Sequence, residues 1–229
     1  MCVSMKKILM SVFFASSLLL NSCTMNGSVS YKTGDETTAK TQVASSDCGK
    51  NQTSAPAKGE EIAVMTTNKG VMKIRFFECE TPESVKNFKE LSKKGFYKNL
   101  TFHRIIKNFM NQGGDPLGSG TGGESYKGPN TSINDEPNTN LKHLYGAVAM
   151  AKSSAPNSAT SQFYIVNNKN GVAQLDGGYT VFAQVFDGLD TVDAIANVAT
   201  DKCQPGESRM GCDKPIEPVT ITSVELMKY

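Results

Sequence analysis

The chain has 229 residues, of which 38% are hydrophobic and 20% charged, with a formal net charge of +2. This length and composition are typical of one globular domain with a sizeable core and some additional chain, and they argue against a second full domain. No long run of lysine and arginine occurs. Because nucleic-acid binding generally requires a basic surface that neutralises phosphates, we predict no nucleic-acid partner.

The first residues, MCVSMKKILMSVFFASSLLLNSC, predict a secretory signal. Lys6 and Lys7 precede an apolar segment, residues 8–20, that is short for a membrane span. The letters LNSC, which end at Cys23, resemble the bacterial lipobox, in which cleavage just before the cysteine leaves that residue lipidated. We therefore predict a signal peptide at residues 1–22 and lipidation at Cys23, with a signal cleaved elsewhere as the alternative. Removal of residues 1–22 leaves 22 basic and 22 acidic residues, so the mature chain is about neutral.

The next segment, residues 24–58, is rich in Ser, Thr, Gly, Asn and Lys and contains almost no large apolar residue. Such a segment cannot bury enough surface to offset its ordering entropy. We predict a flexible tether over residues 23–58, including the lipidated cysteine, and a folded domain over residues 59–229.

Regular structure is expected from about Glu60 onward. EIAVMTT and GVMKIRFF are β-rich segments on either side of a turn-like Asn-Lys-Gly, which predicts a hairpin. TPESVKNFKELSKKG predicts a helix with Thr81 as N-cap, Pro82 at the first helical position and Gly95 as terminator. A second short helix is predicted for GLDTVDAIANV. The remaining predicted strands are LTFHRII, FMNQGG, YGAVAMA, SQFYIV, TVFAQVF and VTITSVEL.

The order of these elements indicates the fold class. Many short strands occur with only two helices, and the helices do not alternate with the strands. This pattern argues against a parallel α/β sheet and leaves a closed antiparallel barrel or a sandwich.

The segment TFHRIIKNFMNQGGDPLGSGTGG, residues 101–123, contains six glycines in its second half. Gly118 to Gly123 match the pattern G-x-G-x-x-G, but Asp115 and Pro116 precede it and no helical pattern follows. A phosphate-binding loop requires a strand before the glycines and a helix N-terminus after them. We predict instead that these glycines supply positive φ angles in an irregular loop.

Hydrolytic and metal chemistry are also disfavoured. The sequence has no G-x-S-x-G motif, and His103 and His143 are the only histidines. No His, Cys or carboxylate cluster has ligand spacing, so we predict no metal and no cofactor. Arg104 remains as a charged residue in an apolar strand. Strand alternation predicts Phe102 and Arg104 on one side and His103 and Ile105 on the other.

Three ordered segments resemble the cyclophilin-type peptidyl-prolyl isomerases. FHRIIKNFMNQGGD resembles the family signature, GAVAMAKSSAPNSATSQFYIV its second block in the bacterial form, and LDGGYTVFAQVFDGLDTVDAI its third. The resemblance covers about residues 60–229. It implies a mainly β fold, namely a closed eight-stranded antiparallel barrel with two capping α-helices. It also implies an enzyme that interconverts the cis and trans forms of Xaa-Pro bonds without a cofactor.

The resemblance also implies roles for individual residues. The catalytic residues would be Arg104, Phe109, Gln112 and His103. Arg104 would be placed against the substrate, where its guanidinium can hydrogen-bond a carbonyl oxygen and favour pyramidalisation at the prolyl nitrogen. The substrate-binding residues would be Met110, Phe163, Gln162, Leu175, Tyr164, Tyr179 and Ala151.

Within these sets the expected contacts differ. Phe109, Met110, Phe163 and Leu175 would take the proline ring, with ordinary core packing as the alternative for each. Gln112 and Gln162 would hold the peptide backbone or orient Arg104. His103 would lie at the edge of the site, as a substrate contact or as a group behind it.

The chain departs from the family at several of these positions. Gln174 stands where many eukaryotic members have tryptophan, so tight cyclosporin binding is not expected. Tyr164 and Tyr179 stand where those members have phenylalanine and histidine, which keeps an aromatic wall. Lys152 stands at a position that contacts the peptide backbone, which leaves that contact open.

The cysteines fit an exported protein. Cys203 and Cys212 lie nine positions apart in CQPGESRMGC, and we predict a disulfide between them. A second bridge between Cys48 and Cys79 is left open.

The sequence as a whole predicts a lipid-anchored, monomeric isomerase that acts on proline-containing exported polypeptides in the bacterial cell envelope. Thr24 follows the lipidated cysteine, which favours the periplasmic face of the outer membrane. One alternative is a non-catalytic module that binds proline-containing peptides in the same groove. Another is a surface lipoprotein that interacts with a host.

Overall fold

The computed structural model describes residues 49, 51–138, 140–201 and 212–229. Two helices are present in these ranges, α1 (Pro82–Lys93) and α2 (Leu189–Ala196). The strands are β1 (Glu61–Thr67), β2 (Gly70–Phe76), β3 (Phe102–Ile106), β4 (Met110–Gly113), β5 (Ala147–Met150), β6 (Phe163–Val166), β7 (Val181–Asp187) and β8 (Ile221–Lys228). All of the predicted strands and both predicted helices are therefore confirmed.

The strands form one sheet in the order β3-β4-β6-β5-β7-β2-β1-β8, and every neighbouring pair is antiparallel. The fold is thus mainly β, a curled eight-stranded antiparallel sheet with two helices, as predicted. β3 and β8 are the two ends of this order. An antiparallel bridge joins Thr101, which directly precedes β3, to Thr220, which directly precedes β8. Closure of the sheet into a full barrel stays a prediction.

Helix α1 begins where the sequence indicates, but a different residue caps it. Thr81 occupies the N-cap position, yet its hydroxyl donates to the Phe77 carbonyl instead of capping the helix. The carboxylate of Glu136 accepts hydrogen bonds from the backbone N–H groups of Glu83 and Ser84 at 2.9 and 2.8 Å. A carboxylate at a helix N-terminus satisfies otherwise unpaired donors and interacts favourably with the helix dipole. The predicted N-cap position of Thr81 is therefore confirmed, but the capping side chain is that of Glu136.

Apolar side chains separate into two clusters on the two faces of the sheet. The main core contains the aromatic rings of Phe88, Tyr97 and Phe163, with Phe88 5.5 Å from Phe163 between ring centroids. The second cluster is smaller and contains Met110 and Tyr164. This second cluster lies beside the candidate site.

The folded region starts earlier than predicted. Gln52 is buried, and its side-chain amide donates to the Lys142 carbonyl at 2.7 Å and accepts from the Lys142 N–H at 2.9 Å. Arg75, also buried, donates to the carbonyl of Asn51. The predicted boundary at residue 59 is thus too late, because these contacts hold residues 51–54 against the sheet.

Several predictions fall outside the described residues. The signal peptide, the lipidated Cys23 and Cys203 are among them. Cys79 and Cys212 are each disulfide-bonded, while the Cys203–Cys212 pairing itself stays a prediction. Within the described ranges, no helix has the length and apolar character needed to cross a membrane.

Candidate active site

An irregularity in β3 decides which side chains reach the site. Phe102 pairs with Gly113, and Arg104 pairs with Gln112, so β3 carries one extra residue, His103, between two consecutive partners on β4. Such a bulge breaks the alternation of side chains along a strand. The prediction that His103 and Arg104 face opposite sides is therefore wrong.

The bulge turns these two polar side chains toward the same cleft. His103 and Arg104 both line a cleft of about 640 Å³, whereas Phe102 and Ile105 both lie in the main core. Arg104 is half-buried, so its side chain is still accessible to a ligand in the cleft. The cleft is also lined by Gln112, Gln162 and Ala151, whose contacts with a substrate stay a prediction.

A chain of hydrogen bonds extends from Arg104 across the cleft floor. The Arg104 guanidinium Nη1 donates to Gln112 Oε1 at 3.5 Å, and Gln112 Nε2 donates to Gln162 Oε1 at 3.0 Å. Gln162 Nε2 in turn donates to the carbonyls of Gly122 at 2.7 Å and Gly120 at 3.1 Å. The two glutamines therefore connect Arg104 to the glycine loop.

The glycine loop is built on unusual backbone angles, as predicted. Gly118, Gly120 and Gly123 have φ angles of 60°, 84° and 123°. Gly114, where the loop begins, has φ of 85°, and a Cβ there would lie 2.5 Å from the Ser161 carbonyl oxygen. Only glycine fits such a position without strain. The loop therefore shapes the rim of the cleft.

Asp115 fixes the loop from inside. Its carboxylate accepts backbone N–H groups from Leu117 at 2.8 Å and Ser119 at 3.0 Å, and from Gly120. Burial raises the pKa of this carboxyl, but the backbone hydrogen bonds outweigh burial and hold the pKa below its ordinary value. The ionised form is thus the one that organises the loop.

A cluster of apolar side chains, which we call the apolar pocket, adjoins the polar floor. Met110 and Tyr164 are buried at its base, and the half-buried side chains of Phe109, Leu175 and Tyr179 pack around them. Met110 and Gln112 point to the same face of β4, because side chains two residues apart share a face. The pocket and the polar floor are therefore adjacent, and Ala151 contacts both.

Three comparisons with known proteins identify the same family. The family model "Cyclophilin type peptidyl-prolyl cis-trans isomerase/CLD" matches residues 62–226, which is more than half of the chain. The chain belongs to the cyclophilin-type peptidyl-prolyl cis-trans isomerase family. The family model and the similar curated proteins are named as peptidyl-prolyl cis-trans isomerases, so the predicted enzyme class is confirmed.

Relatives of this cyclophilin-type chain occur in distant organisms. It is 43% identical over 166 residues to peptidyl-prolyl cis-trans isomerase B of Escherichia coli, covering 69% of this chain and 94% of the relative. It is 40% identical over 167 residues to peptidyl-prolyl cis-trans isomerase 9 of Schizosaccharomyces pombe, covering 73% of this chain. The match spans only 25% of that longer relative.

A solved structure of the family also matches. A Cryptosporidium parvum cyclophilin-type isomerase, crystallised in the presence of the dipeptide Ala-Pro, superposes with a TM-score of 0.66 at 36% identity. The match covers 73% of this chain and 99% of the other.

One predicted pocket residue of the cyclophilin-type domain lies elsewhere. Phe163 is fully buried in the main core, with its ring 5.6 Å from the ring of Tyr97 and 6.0 Å from the ring of Phe102. The neighbouring residue, Tyr164, contributes to the pocket instead. Because successive side chains of a strand point to opposite faces, Phe163 and Tyr164 cannot both face the pocket. The predicted contact of Phe163 with a proline ring is therefore wrong.

His103 lies at the edge of the cleft, as expected, and is almost fully buried. Neither ring nitrogen forms a hydrogen bond of ordinary geometry to the described residues, although the Thr101 backbone is close enough to affect the pKa. Burial lowers the pKa of His103 and outweighs the nearby carboxylate of Asp115, which acts in the opposite direction. At neutral pH the imidazole is thus uncharged beside the Arg104 cation.

Sequence reasoning missed the residues that support the pocket from behind. Asn167 Oδ1 accepts the Phe109 N–H at 2.8 Å, and Asn167 Nδ2 donates to the Ile106 carbonyl at 3.0 Å, which fixes the turn that carries Phe109. His143 and Asp176 form a second support, behind Tyr164. Asp176 directly follows Leu175 in the third block, and its position next to a predicted pocket residue could have indicated a supporting role.

No group of three or more His, Cys, Asp or Glu side chains that could hold a metal ion occurs within the described ranges.

Proposed function

We propose that this cyclophilin-type domain interconverts the cis and trans forms of Xaa-Pro bonds in exported polypeptides at the cleft around Arg104. The observation that carries the proposal is the junction of two surfaces. A guanidinium supported by Gln112 adjoins an apolar pocket built on Met110 and Tyr164. The isomerase that superposes on this chain was crystallised with Ala-Pro, which supports proline-containing peptides as ligands.

The chemistry required is a rotation in which no bond breaks. The C–N bond of an Xaa-Pro peptide has partial double-bond character, and its rotation barrier is about 18 to 20 kcal/mol. A catalyst must hold the ring and stabilise the twisted state more strongly than either planar state. In this proposal the apolar pocket holds the proline ring while Arg104 hydrogen-bonds the peptide and favours a pyramidal prolyl nitrogen, which weakens conjugation.

The two glutamines contribute rigidity. Gln112 accepts from Arg104 and donates to Gln162, so the position of the guanidinium is set before a substrate binds. Preorganised donors stabilise a transition state without reorganisation during the reaction. We assign Gln112 and Gln162 to orienting Arg104 and to contacts with the peptide backbone, and His103 to the edge of the cleft.

The location of the enzyme is part of the same proposal. The predicted signal and the lipobox-like LNSC support an exported lipoprotein anchored through Cys23. Acyl chains contribute about 0.8 kcal/mol per buried methylene, and anchoring through more than one chain is stable. We propose a monomer at the periplasmic face of the outer membrane that assists the folding of exported proteins. Replacing Cys23 with Ser would then release the protein from the membrane fraction.

We also propose that the curled sheet closes into a barrel. The Phe102 N–H donates to the Val219 carbonyl at 2.9 Å, and the Ile221 N–H donates to the Leu100 carbonyl at 2.8 Å. These bonds flank the Thr101–Thr220 bridge and support closure between the β3 and β8 ends. Slow amide hydrogen exchange at Phe102 and Ile221 would agree with closure.

The deciding experiment measures cis-to-trans exchange of a short Xaa-Pro peptide with the purified full-length chain. An Arg104→Ala variant, shown to be folded by circular dichroism, is compared with Lys107→Ala, which removes an exposed cation three residues away. We expect the wild type and Lys107→Ala to accelerate exchange and Arg104→Ala to lose most of the acceleration. Binding of proline peptides without acceleration by the wild type would favour the non-catalytic binding module.

A further inference from the structure

Two buried side chains, Tyr164 and His143, and the half-buried Asp176 form a continuous hydrogen-bonded chain behind the apolar pocket. The Tyr164 hydroxyl lies 2.9 Å from His143 Nε2, and His143 Nδ1 lies 2.9 Å from Asp176 Oδ1. The rings of His143 and Tyr164 are nearly parallel, with an interplanar angle of 13°. The His143 side chain is completely buried. Each ring nitrogen of the buried His143 imidazole thus has a hydrogen-bond partner.

The positions of the protons in this chain follow from the partners. Burial raises the pKa of the Asp176 carboxyl, but hydrogen bonds from the backbone and ring of His143 outweigh it, and the pKa is below its ordinary value. Burial lowers the pKa of His143 and outweighs the effect of Asp176, so the ring is neutral at neutral pH. An ionised carboxylate accepts only, so Nδ1 carries the proton and Nε2 accepts from the Tyr164 O–H.

The order Asp-His-hydroxyl is also the order of a hydrolytic triad, but this chain does not produce a nucleophile. Burial raises the pKa of the Tyr164 hydroxyl well above its ordinary value, so it stays protonated. The hydroxyl is directed to His143 and away from the cleft. The pocket therefore presents ring carbons to a ligand, and the polar end of Tyr164 is satisfied from behind.

The same histidine also holds the segment that carries Leu175. The His143 N–H donates to Asp176 Oδ1 at 2.8 Å, and the Val172 N–H donates to the His143 carbonyl at 2.8 Å. Val172 and Asp176 flank a single turn of 3-10 helix, Ala173–Leu175. Both ends of this turn are therefore bound to one residue. Leu175 and Tyr164, which belong to the same apolar cluster, share His143 as their common support.

We propose that His143 and Asp176 are positioning residues for the apolar pocket, which hold Tyr164 and Leu175 at the separation that a proline ring requires. The inference rests on the proposed function. Neither residue touches the peptide, so their contribution is to binding of the ring and not to rotation of the bond. Interactions that are equal in the ground and transition states change KM and leave kcat unaltered.

The test removes one hydroxyl and no carbon atom. Tyr164→Phe deletes the hydrogen bond to His143 and keeps the ring in the pocket. We expect KM for a short Xaa-Pro peptide to rise about 3-fold to 10-fold, the range that one lost hydrogen bond gives, while kcat changes little. The matched control is Tyr97→Phe, which deletes an equally buried hydroxyl that donates to the Ser161 carbonyl in the main core. That control should leave KM unchanged.

A second variant tests whether His143 acts through Tyr164. His143→Leu should raise KM in the wild type and raise it less in the Tyr164→Phe background, because the shared hydrogen bond is already gone. Thermal unfolding of each variant establishes that the comparison is made between folded proteins. The affinity for the dipeptide Ala-Pro, measured by NMR titration, should follow KM.

The outcomes separate this inference from the proposed function. An active wild type whose KM and Ala-Pro affinity are unaltered by Tyr164→Phe would overturn the positioning role alone. A fall in kcat with unaltered KM would also overturn it, since the hydroxyl would then act in the rotation step. A wild type that binds Ala-Pro without isomerising it would overturn the proposed function, while weaker Ala-Pro binding by Tyr164→Phe would still support the positioning role.

Discussion

The two sides of the cleft are organised in different ways. On the polar side, hydrogen bonds among Arg104, Gln112 and Gln162 lie at the surface that would meet a ligand. On the apolar side, the completely buried side chain of His143 forms its hydrogen bonds behind the wall. The polar side thus offers a positive charge and hydrogen-bond donors to a ligand. The apolar side offers an apolar surface whose shape is held by hydrogen bonds behind it. We expect the first to control kcat and the second to control KM.

The largest expected effect concerns Arg104. Arg104→Lys keeps a positive charge but loses the planar guanidinium that donates to Gln112 and can still reach a ligand. We expect kcat/KM to fall about 100-fold, comparable with the loss of one preorganised transition-state donor. Peptide exchange measured by NMR at several substrate concentrations separates kcat from KM. A lysine variant with near wild-type kcat would show that charge alone suffices, and the geometric account of the polar side would fail.

A smaller loss is expected from the far end of the polar side. Gln162→Leu removes the hydrogen bond to Gln112 and both hydrogen bonds to the glycine loop. We expect kcat/KM to fall about 10-fold, because buried partners left unsatisfied cost about 1 to 3 kcal/mol. Asn170→Leu, at an exposed amide that does not line the cleft, is the control and should retain activity. Equal activity of the two variants would indicate that Arg104 needs no support from this chain.

The corrected position of Phe163 provides a test in which catalysis should not change. Phe163→Leu reduces the volume of a main-core side chain, so we expect the free energy of unfolding to fall by about 1 to 3 kcal/mol. KM should stay at the wild-type value, since Phe163 faces away from the pocket. Chemical denaturation gives the first quantity and peptide exchange the second. A raised KM in a stable, folded variant would return Phe163 to the pocket wall.

The fold was largely predictable because its signals are local. Strand and helix segments are set by β-rich runs, by Pro82 and by glycine, and all of them occur where the sequence places them. The cap of α1 was not predictable in this way, because Glu136 comes from a segment distant in sequence. A carboxylate brought in by tertiary structure replaced the local Thr81 signal.

The site was predictable in its residues but not in their directions. A bulge at His103 cannot be read from composition, and it breaks the predicted alternation of side chains along β3. The Phe163 error was avoidable, because alternation on β6 allows Gln162 and Tyr164 to share a face and excludes the residue between them. His143 and Asp176 lie 33 positions apart, and only the folded chain shows that they meet.

The smallest expected effect is the dependence of stability on pH, and it connects the two sides of the cleft. Burial lowers the pKa of both His103 and His143 in the folded protein below the ordinary value of about 6.5. The unfolded chain therefore binds protons that the folded chain does not as pH falls below about 6.5, and stability decreases in that direction. Each histidine contributes at most about 1.4 kcal/mol per pH unit. Denaturation at pH 7.5 and pH 5.5 measures the change above the range in which most carboxyl groups titrate.

A variant of His103 shows how much of the pH dependence of stability comes from each histidine. His103→Asn should remove part of the pH dependence, and the remainder belongs to His143 on the apolar side. Because a protonated His143 ring has no acceptor left for the Tyr164 O–H, its titration should also raise KM for proline peptides at the acidic end, in the wild type more than in Tyr164→Phe. If stability is constant between pH 7.5 and pH 5.5, neither histidine is held neutral by burial. The two sides of the cleft would then differ in geometry alone and not in how they respond to protons.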